Sequence, residues 1–584
     1  MTEPLEPGTP EALPPLTPVA RVEGVSVPLV QPTRTSRGGR GRWVVALVAT
    51  LVVVLVAGGL IVVAGAGAAS VGPAYAPADA ILYVDARADL PGDQHQQLAT
   101  FMARFPGFAD PSSLDAKLDQ ALDKLIGQAT GGTFSYTANI KPWFGGQVAV
   151  SVGPGDAVLL VVSVSDSSGL PTKLDQTSQD LAKQLGGTVS ITDHNGTSVY
   201  TISGGTGVSG LNAISFAITH DAIVAAKDAA TVDAALDRKA GSSPNLAGVA
   251  AYRDAVGRLD ADRLGTFYLD GAAVGKLLAS LDTGAAAGSC ASTASLAQLP
   301  TTIAGELQAQ NGDLVARSQA VLPATASTIP AASSDLASHV PGSAVYYTEV
   351  HGFASLWNSV TTTLVQDPCL SSVTGQLSTI EGLLGTKIPD AFAWVKDAGL
   401  VVTATGGRAT GGIVATTSDA ATGQARLTQL VTLLKLAKLQ GGPTITTSDT
   451  GYAGTTITSL NVAADATNGL PAITVAYAFK GDVFVLGVGD PFVKAVLDTT
   501  SATSLASDDR YSAALSAAGG ATNSGVTYAD LSAIRVLAEA QVPADQKAHY
   551  TSDVQPYLVP LDRFITVSVE APGSASTTAI LFTK

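Results

Sequence analysis

Four Tyr-x-acid tripeptides are the part of this sequence best suited to chemistry. They are Tyr83/Asp85, Tyr268/Asp270, Tyr347/Glu349 and Tyr528/Asp530. On a strand, residues i and i+2 share a face, so each acid would lie beside its tyrosine. One interpretation is a set of carboxylates for acid–base catalysis or metal binding. The interpretation that we favour is capping, in which each acid ends a strand and accepts a backbone N–H of the next helix.

The histidines and cysteines do not follow the spacing of a known site. Glu349 and His351 could form a pH-sensitive pair on one strand face, although a salt bridge on the surface is the commoner outcome. No HxxH, HExxH or CxxC spacing is present, so the sequence predicts no catalytic, metal or cofactor site. It therefore favours a protein that is not an enzyme. The alternative is a hydrolase with an acidic site that lacks a recognisable motif, with Asp85 and Glu349 as its first candidates.

Phe101, Met102, Phe105 and Phe108 place four large apolar residues within eight positions. Leu98, Phe101, Met102 and Phe105 follow helical spacing and predict an amphipathic helix. The stripe could line a groove for an apolar ligand or contact a bilayer, because methionine adapts to varied partners. Packing against a sheet is the interpretation that we favour, since amphipathic helices usually bury such a stripe.

Two cysteines, Cys290 and Cys369, are the whole cysteine content of the chain. A disulfide between them would close a loop of about 80 residues and constrain the unfolded chain by about 4 kcal/mol. Such a bond persists only on the oxidising side of a membrane. Two unpaired buried thiols are the alternative.

An uncharged apolar segment covers residues 43–66. About 20 such residues at 1.5 Å each cross a 30 Å hydrocarbon layer as a helix. Arg34, Arg37, Arg40 and Arg42 precede it without an intervening acid, which predicts a cytoplasmic N-terminus. A cleavable signal peptide is the alternative, but its apolar region is usually shorter. We therefore expect a Pro-rich disordered cytoplasmic tail over residues 1–42, a transmembrane helix over 43–66 and an extracytoplasmic remainder.

The sequence after residue 66 contains an internal duplication. Residues 77–85 (PADAILYVD) resemble residues 341–349 (PGSAVYYTE), and later segments recur in the same order. Helical periodicity alternates with hairpin signals such as Asn195-Gly196 in both halves. After a linker over residues 67–78, we therefore predict two tandem domains over 79–325 and 326–584. Their class would be α+β, each an antiparallel sheet covered by helices.

The formal charge of −15 argues against nucleic acid as a partner. Abundant Ala, Gly, Val and Thr with scarce Lys suggest a GC-rich, actinobacterial genome.

Three motifs carry a resemblance to a known family: residues 77–85, Arg104-Phe105-Pro106, and residues 142–149 (PWFGGQVA). With them the chain resembles a family of actinobacterial membrane-anchored proteins catalogued as domain of unknown function 3352. The resemblance implies an exported, anchored envelope protein, and it brings no catalytic residues.

We therefore expect a single-pass protein of the bacterial cell envelope whose partner is the cytoplasmic membrane through its N-terminal helix. Its exported part would be a binding or scaffold module for an envelope protein, a cell-wall component or an apolar lipid. No nucleic acid partner and no cofactor are expected.

Overall fold

The structure is a computed structural model that describes residues 70–110, 112, 114–129, 135–167, 170–184, 187–204, 213–282, 299–365, 381–382, 385–405, 407–436, 444–464 and 471–584. The predicted tail and transmembrane helix, the four arginines before that helix, and both cysteines lie outside these residues. In the described part of the chain, no helix is both long and apolar enough to span a membrane.

The first half contributes ten described strands to the main sheet. They are β1 (Leu82–Arg87), β2 (Phe144–Val152), β3 (Val158–Val164), β4 (Thr188–His194), β5 (Thr197–Ser203), β6 (Ala213–Ile218), β7 (Ala222–Ala226), β8 (Gly265–Asp270), β9 (Thr302–Gln310) and β10 (Asp313–Val321). Its helices are α1 (Gln94–Met102), α2 (Leu114–Ala129), α3 (Leu170–Gln184), α4 (Ala229–Lys239), α5 (Ala250–Val256) and α6 (Gly271–Asp282).

The second half also contributes ten strands. They are β12 (Ala344–Val350), β13 (Val395–Thr405), β14 (Arg408–Thr417), β15 (Ile445–Tyr452), β16 (Thr455–Val462), β17 (Ile473–Lys480), β18 (Val483–Val488), β20 (Gly525–Ala529), β21 (Leu561–Ala571) and β22 (Ser574–Thr583). A separate two-stranded sheet pairs β11 (Ala332–Ser333) with β19 (Thr522–Asn523). The helices are α7 (Phe353–Val365), α8 (Ala420–Leu436), α9 (Asp490–Leu497), α10 (Asp509–Ala517), α11 (Leu531–Glu539), and the short α12 (Lys547–His549) and α13 (Gln555–Leu558).

Strand pairing joins both halves into one antiparallel sheet of 20 strands. Outward from the centre, the first half runs β10, β9, β8, β1, β2, β3, β7, β6, β5, β4. The second half runs β22, β21, β20, β12, β13, β14, β18, β17, β16, β15. Both halves therefore follow the same path, and β10 pairs with β22 at the join, which we call the seam.

The predicted fold class of two tandem domains, each with its own sheet, is wrong. At the seam, Leu314 to Val321 pair with Leu581 to Ser574, so the two sheets are continuous. The physical reason is that each half ends in a hairpin whose outer strand is an open edge, and an open edge pairs readily with another strand. The ranges 79–325 and 326–584 remain a prediction as domain boundaries.

A stack of three tyrosines fixes one helix of each half on the sheet. Tyr252 of α5 packs edge-on between Tyr83 and Tyr268, with ring centroids 5.8 and 5.2 Å apart. In the second half, Tyr511 of α10 packs in the same way against Tyr347 and Tyr528, at 6.0 and 5.2 Å. Such ring pairs stabilise by about 0.5–1.5 kcal/mol beyond their burial. The stacks therefore show which residues of the two halves correspond.

The hairpin predicted at Asn195-Gly196 is confirmed. Both residues have positive φ, 52° and 84°, as a type I′ turn requires, and they join β4 to β5.

Candidate functional site

Asp85 and Glu349, the candidate acids of the hydrolase hypothesis, lie at opposite ends of one row across the sheet. The row runs Asp85, Thr266, Glu306, Arg317, Thr578, Val567, Val526, Glu349. Seven steps of about 4.8 Å separate the acids by about 34 Å along the sheet, whereas paired catalytic carboxylates lie within about 10 Å. Both acids lie inside strands β1 and β12, so the prediction that they cap helices is wrong.

The capping prediction is confirmed for the other two acids. Asp270 accepts a hydrogen bond from the Ala273 amide at 2.9 Å, and Asp530 accepts one from the Ala533 amide at 2.9 Å. These carboxylates therefore begin α6 and α11, where they satisfy backbone donors that have no partner within the helix.

Glu349 belongs to a buried ionic cluster in the second half. His351 Nε2 lies 2.9 Å from a Glu349 carboxylate oxygen and 3.0 Å from Asn523 Oδ1, and His351 Nδ1 lies 3.6 Å from Asp397. Tyr347 donates its hydroxyl to Glu349. His351 is 2% exposed and Glu349 is 5% exposed, so the predicted surface salt bridge is instead a buried one.

Two carboxylates keep His351 charged. Burial lowers the pKa of His351, but Asp397 and Glu349 outweigh this effect and raise the pKa to about 10. Burial alone would raise the pKa of Asp397. Its contacts with His351 and the Gly352 amide outweigh burial, so the pKa of Asp397 lies below its usual value. The imidazole is therefore a structural cation rather than a proton shuttle near neutral pH.

The first half carries a different cluster at the corresponding place. Arg87 takes the position of His351 and pairs with Asp89 at 2.8 Å, and Gln147 donates to Asp89 at 3.1 Å. Asp85 is 5% exposed, and burial raises its pKa, although a hydrogen bond from Tyr83 offsets part of the effect. A carboxylate enclosed in this way has no direct access to a substrate, so we interpret both clusters as structural.

An open cavity of about 480 Å³ lies at the seam, beside α5. Its walls combine small hydroxyl or apolar residues with three longer polar side chains, which come from α5, from the turn after α5 and from β10. They include Ala251, Asp254, Arg258, Thr301, Thr302, Gln319, Val321, Ser574 and Ser576. Such concave sites with a few convergent polar groups are the usual form of a ligand site.

Larger side chains occupy the corresponding positions of the second half. The tyrosine stacks and the strand registers give four pairs of corresponding residues. They are Ala251 and Arg510, Thr301 and Asp562, Thr302 and Arg563, and Val321 and Phe582. There Arg510 pairs with Asp562 at 2.7 Å, and the Arg563 guanidinium lies 4.2 Å from the centre of the Phe582 ring. The cavity therefore lies where the first half has small residues and its counterpart has large ones.

The predicted apolar stripe lies against the first half of the sheet. Phe101 is 7% exposed, and Met102, Phe105 and Phe108 are partly buried against the same hydrophobic cluster, which includes Leu114. The rings of Phe101 and Phe105 are 5.1 Å apart. A ligand or membrane role for this stripe stays a prediction.

The remaining predicted sites have no described geometry. The proposed Cys290–Cys369 bridge and the topology-setting arginines are outside the described residues. Within the ranges that the structure describes, no group of three or more His, Cys, Asp or Glu side chains is arranged to hold a metal ion.

Sequence reasoning missed the cavity altogether. The signal that could have found it is a difference in side-chain size between the halves: Ala251 precedes Tyr252 in one half, whereas Arg510 precedes Tyr511 in the other. This difference in size indicates a cavity only when the strand registers show which residues of the two halves correspond.

Comparisons with known proteins give a family but no activity. Crystal forms III and I of TP0453 align with 45% and 44% of this chain and with 83% and 82% of that protein. Their identities are 12% and 11%, and both TM-scores are 0.24, so the likeness carries no argument. The search of curated proteins found no match. A family model matches residues 42–584, and the chain therefore belongs to the family described as Protein of unknown function (DUF3352).

Proposed function

We propose that this chain is a binding protein whose ligand occupies the seam cavity. The observation that carries the proposal is that this cavity is open in the first half, whereas large paired side chains take the corresponding positions in the second. Thr301, Thr302, Gln319, Ser574 and Ser576 offer hydroxyl and amide groups to a ligand. Together with Asp254 and Arg258, these groups suit a ligand that carries hydrogen-bonding or charged groups, such as a cell-wall component or a peptide.

The same proposal places the cavity outside the cytoplasmic membrane. Its support is the sequence, in which an uncharged segment over residues 43–66 follows four arginines. An anchored binding protein would present its cavity to the cell wall while staying at the membrane surface.

Filling the cavity should abolish binding. Ser576 lies on β22, is exposed and pairs with Gln319 across the seam. We expect Ser576→Phe to lower ligand affinity at least tenfold without changing the midpoint of thermal unfolding, because the new ring occupies the cavity and displaces no buried side chain. Native mass spectrometry of the full chain, purified in mild detergent from a GC-rich bacterial host, would measure the retained ligand.

Ser190→Phe is the matched control, since Ser190 is an exposed serine on the distant edge strand β4. It should retain the same added mass as the wild type. A folded wild-type chain that carries no added mass from its host, or a Ser576→Phe chain that keeps it, would contradict a ligand in this cavity.

Removal of residues 43–66 should release the protein from membranes. We expect the full chain to sediment with membranes and to resist extraction by carbonate, because a span of this length is inserted and not adsorbed. The shortened chain should appear in the soluble fraction. A control that lacks residues 2–33 keeps the arginines and the span, and should remain in the membrane. A shortened chain that still sediments with membranes would refute the anchor.

A further inference from the structure

One corner of the cavity has a counterpart in the second half that already holds a cation. In the second half, Arg510 of α10 reaches the end of β20, where Nη1 lies 2.6 Å from Asp530. Its Nη2 lies 2.7 Å from Asp562, the second residue of β21. Asp530 at the same time caps α11. A single carboxylate therefore begins a helix and binds a guanidinium.

The first half keeps the carboxylate but lacks the arginine. Asp270 corresponds to Asp530 and caps α6 in the same way. Its strand neighbour Thr302 lines the cavity, as do Ala251 at the position of Arg510 and Thr301 at the position of Asp562. Among the described residues, Asp270 has no ion-pair partner. Asp270 itself is not among the lining residues, but it pairs with Thr302 across β8 and β9 and so lies beside the corner. The corner therefore has the Thr301 hydroxyl and a small side chain at the position of Arg510, next to a carboxylate that has no ion-pair partner in the described part of the chain.

The other charges of the cavity are consistent with an incoming cation. Asp254 faces the cavity from α5 and is also without an ion-pair partner in the described part of the chain. Among the described residues that line the cavity, Arg258 is the one cation, and it lies just beyond the end of α5. The charges of Asp254 and Arg258 therefore leave the lining without a net positive charge.

We propose that the seam cavity binds a ligand through a guanidinium or ammonium group, which takes the place that the Arg510 guanidinium has in the second half. The proposal rests on the binding function proposed above and specifies its ligand class. The cation contacts the Asp270 carboxylate and the Thr301 hydroxyl. Charge-assisted hydrogen bonds of this kind are stronger than neutral ones and give a binding site its specificity.

The chain can supply its own cation as a first test. Ala251→Arg should raise the midpoint of thermal unfolding by about 1–3 °C relative to the neutral control Ala251→Gln, because the new guanidinium reaches Asp270. Adding Asp270→Asn should remove this gain, since asparagine caps a helix as well as aspartate does but carries no charge. Ala251→Arg that is no more stable than Ala251→Gln overturns the proposal.

A small cation tests the wild-type cavity directly. Agmatine should bind the full chain saturably in isothermal calorimetry, and Asp270→Asn should weaken it at least tenfold. Asp228→Asn is the matched control, because Asp228 caps α4 through the Thr231 amide at 2.8 Å and lies away from the cavity lining. Equal agmatine affinity in wild type and Asp270→Asn, or no saturable binding, overturns the cationic ligand.

The two proposals fail in different ways. If Ser576→Phe removes the mass retained from the host and Asp270→Asn keeps it, the binding function stands and the cationic group is wrong. If the wild type retains no mass, the binding function fails, and the unfolding midpoint of Ala251→Arg still decides whether the corner accepts a guanidinium.

Discussion

His351→Gln is expected to lower the free energy of unfolding by about 3–5 kcal/mol, because breaking a buried ion pair leaves its partner charge uncompensated. Here two carboxylates, Glu349 and Asp397, would remain buried beside a neutral side chain. Urea unfolding of the full chain, followed by tryptophan fluorescence, measures the change. His549→Gln is the control: its side chain is 75% exposed, and its pair with Asp553 should contribute less than about 1 kcal/mol. A loss below that level at His351 would contradict the ionic role of the cluster.

The same histidine gives the protein a pH dependence of defined sign. The pKa of His351 is about 10 in the folded chain and about 6.5 when unfolded. Its contribution is therefore complete below pH 6.5 and is lost as the pH rises towards 10, by about 1.4 kcal/mol per unit. Glu349, Asp397 and Tyr347 face the imidazole, so the difference between wild type and His351→Gln isolates its titration. A difference that stays constant from pH 6.5 to 10 would show that His351 is not held protonated.

The four Tyr-x-acid tripeptides show where sequence reasoning succeeds. Asp270 and Asp530 are followed by residues that favour helices, and there the capping prediction is confirmed. Asp85 is followed by two residues that continue β1, up to Arg87, and Glu349 is followed by one residue that continues β12, Val350. The strand continues because neighbours on both sides supply backbone partners, and those neighbours come from distant sequence.

The seam could not be predicted for a related reason. The terminal hairpins of the two halves are readable from the sequence, because turn residues and alternating side chains act locally. The pairing of β10 with β22 uses backbone groups that every strand edge presents, so no side-chain pattern specifies it. Sequence reasoning therefore gave two sheets where the chain forms one.

The cavity exists because small side chains leave space unfilled at the seam. This space can be recognised only once the pairing of β10 with β22 is known. Val321 and Ser574 face each other across β10 and β22, far apart in sequence. Local patterns describe what a side chain prefers, whereas a cavity depends on how several distant side chains jointly fail to fill a space. A comparison of the two halves, position by position, is the part of this information that the sequence does contain.

Phe101→Ala is expected to lower the free energy of unfolding by about 3–5 kcal/mol, because it removes a buried ring and leaves a cavity. Phe101 is 7% exposed and lies in one cluster with Leu98 and Leu114. Phe108→Ala should cost clearly less, since Phe108 is only partly buried at the margin of that cluster. Urea unfolding of both variants measures the difference.

Leu400→Ala is the control for these two variants, because Leu400 is 47% exposed on β13 and its loss should change stability by less than about 1 kcal/mol. The comparison decides between the two interpretations of the apolar stripe. If the stripe is part of the core, stability falls in order of burial, and any bound lipid is lost only from unfolded protein. If Phe101→Ala keeps wild-type stability and loses a lipid that copurifies with the wild type, the stripe lines a groove and core packing is the wrong interpretation.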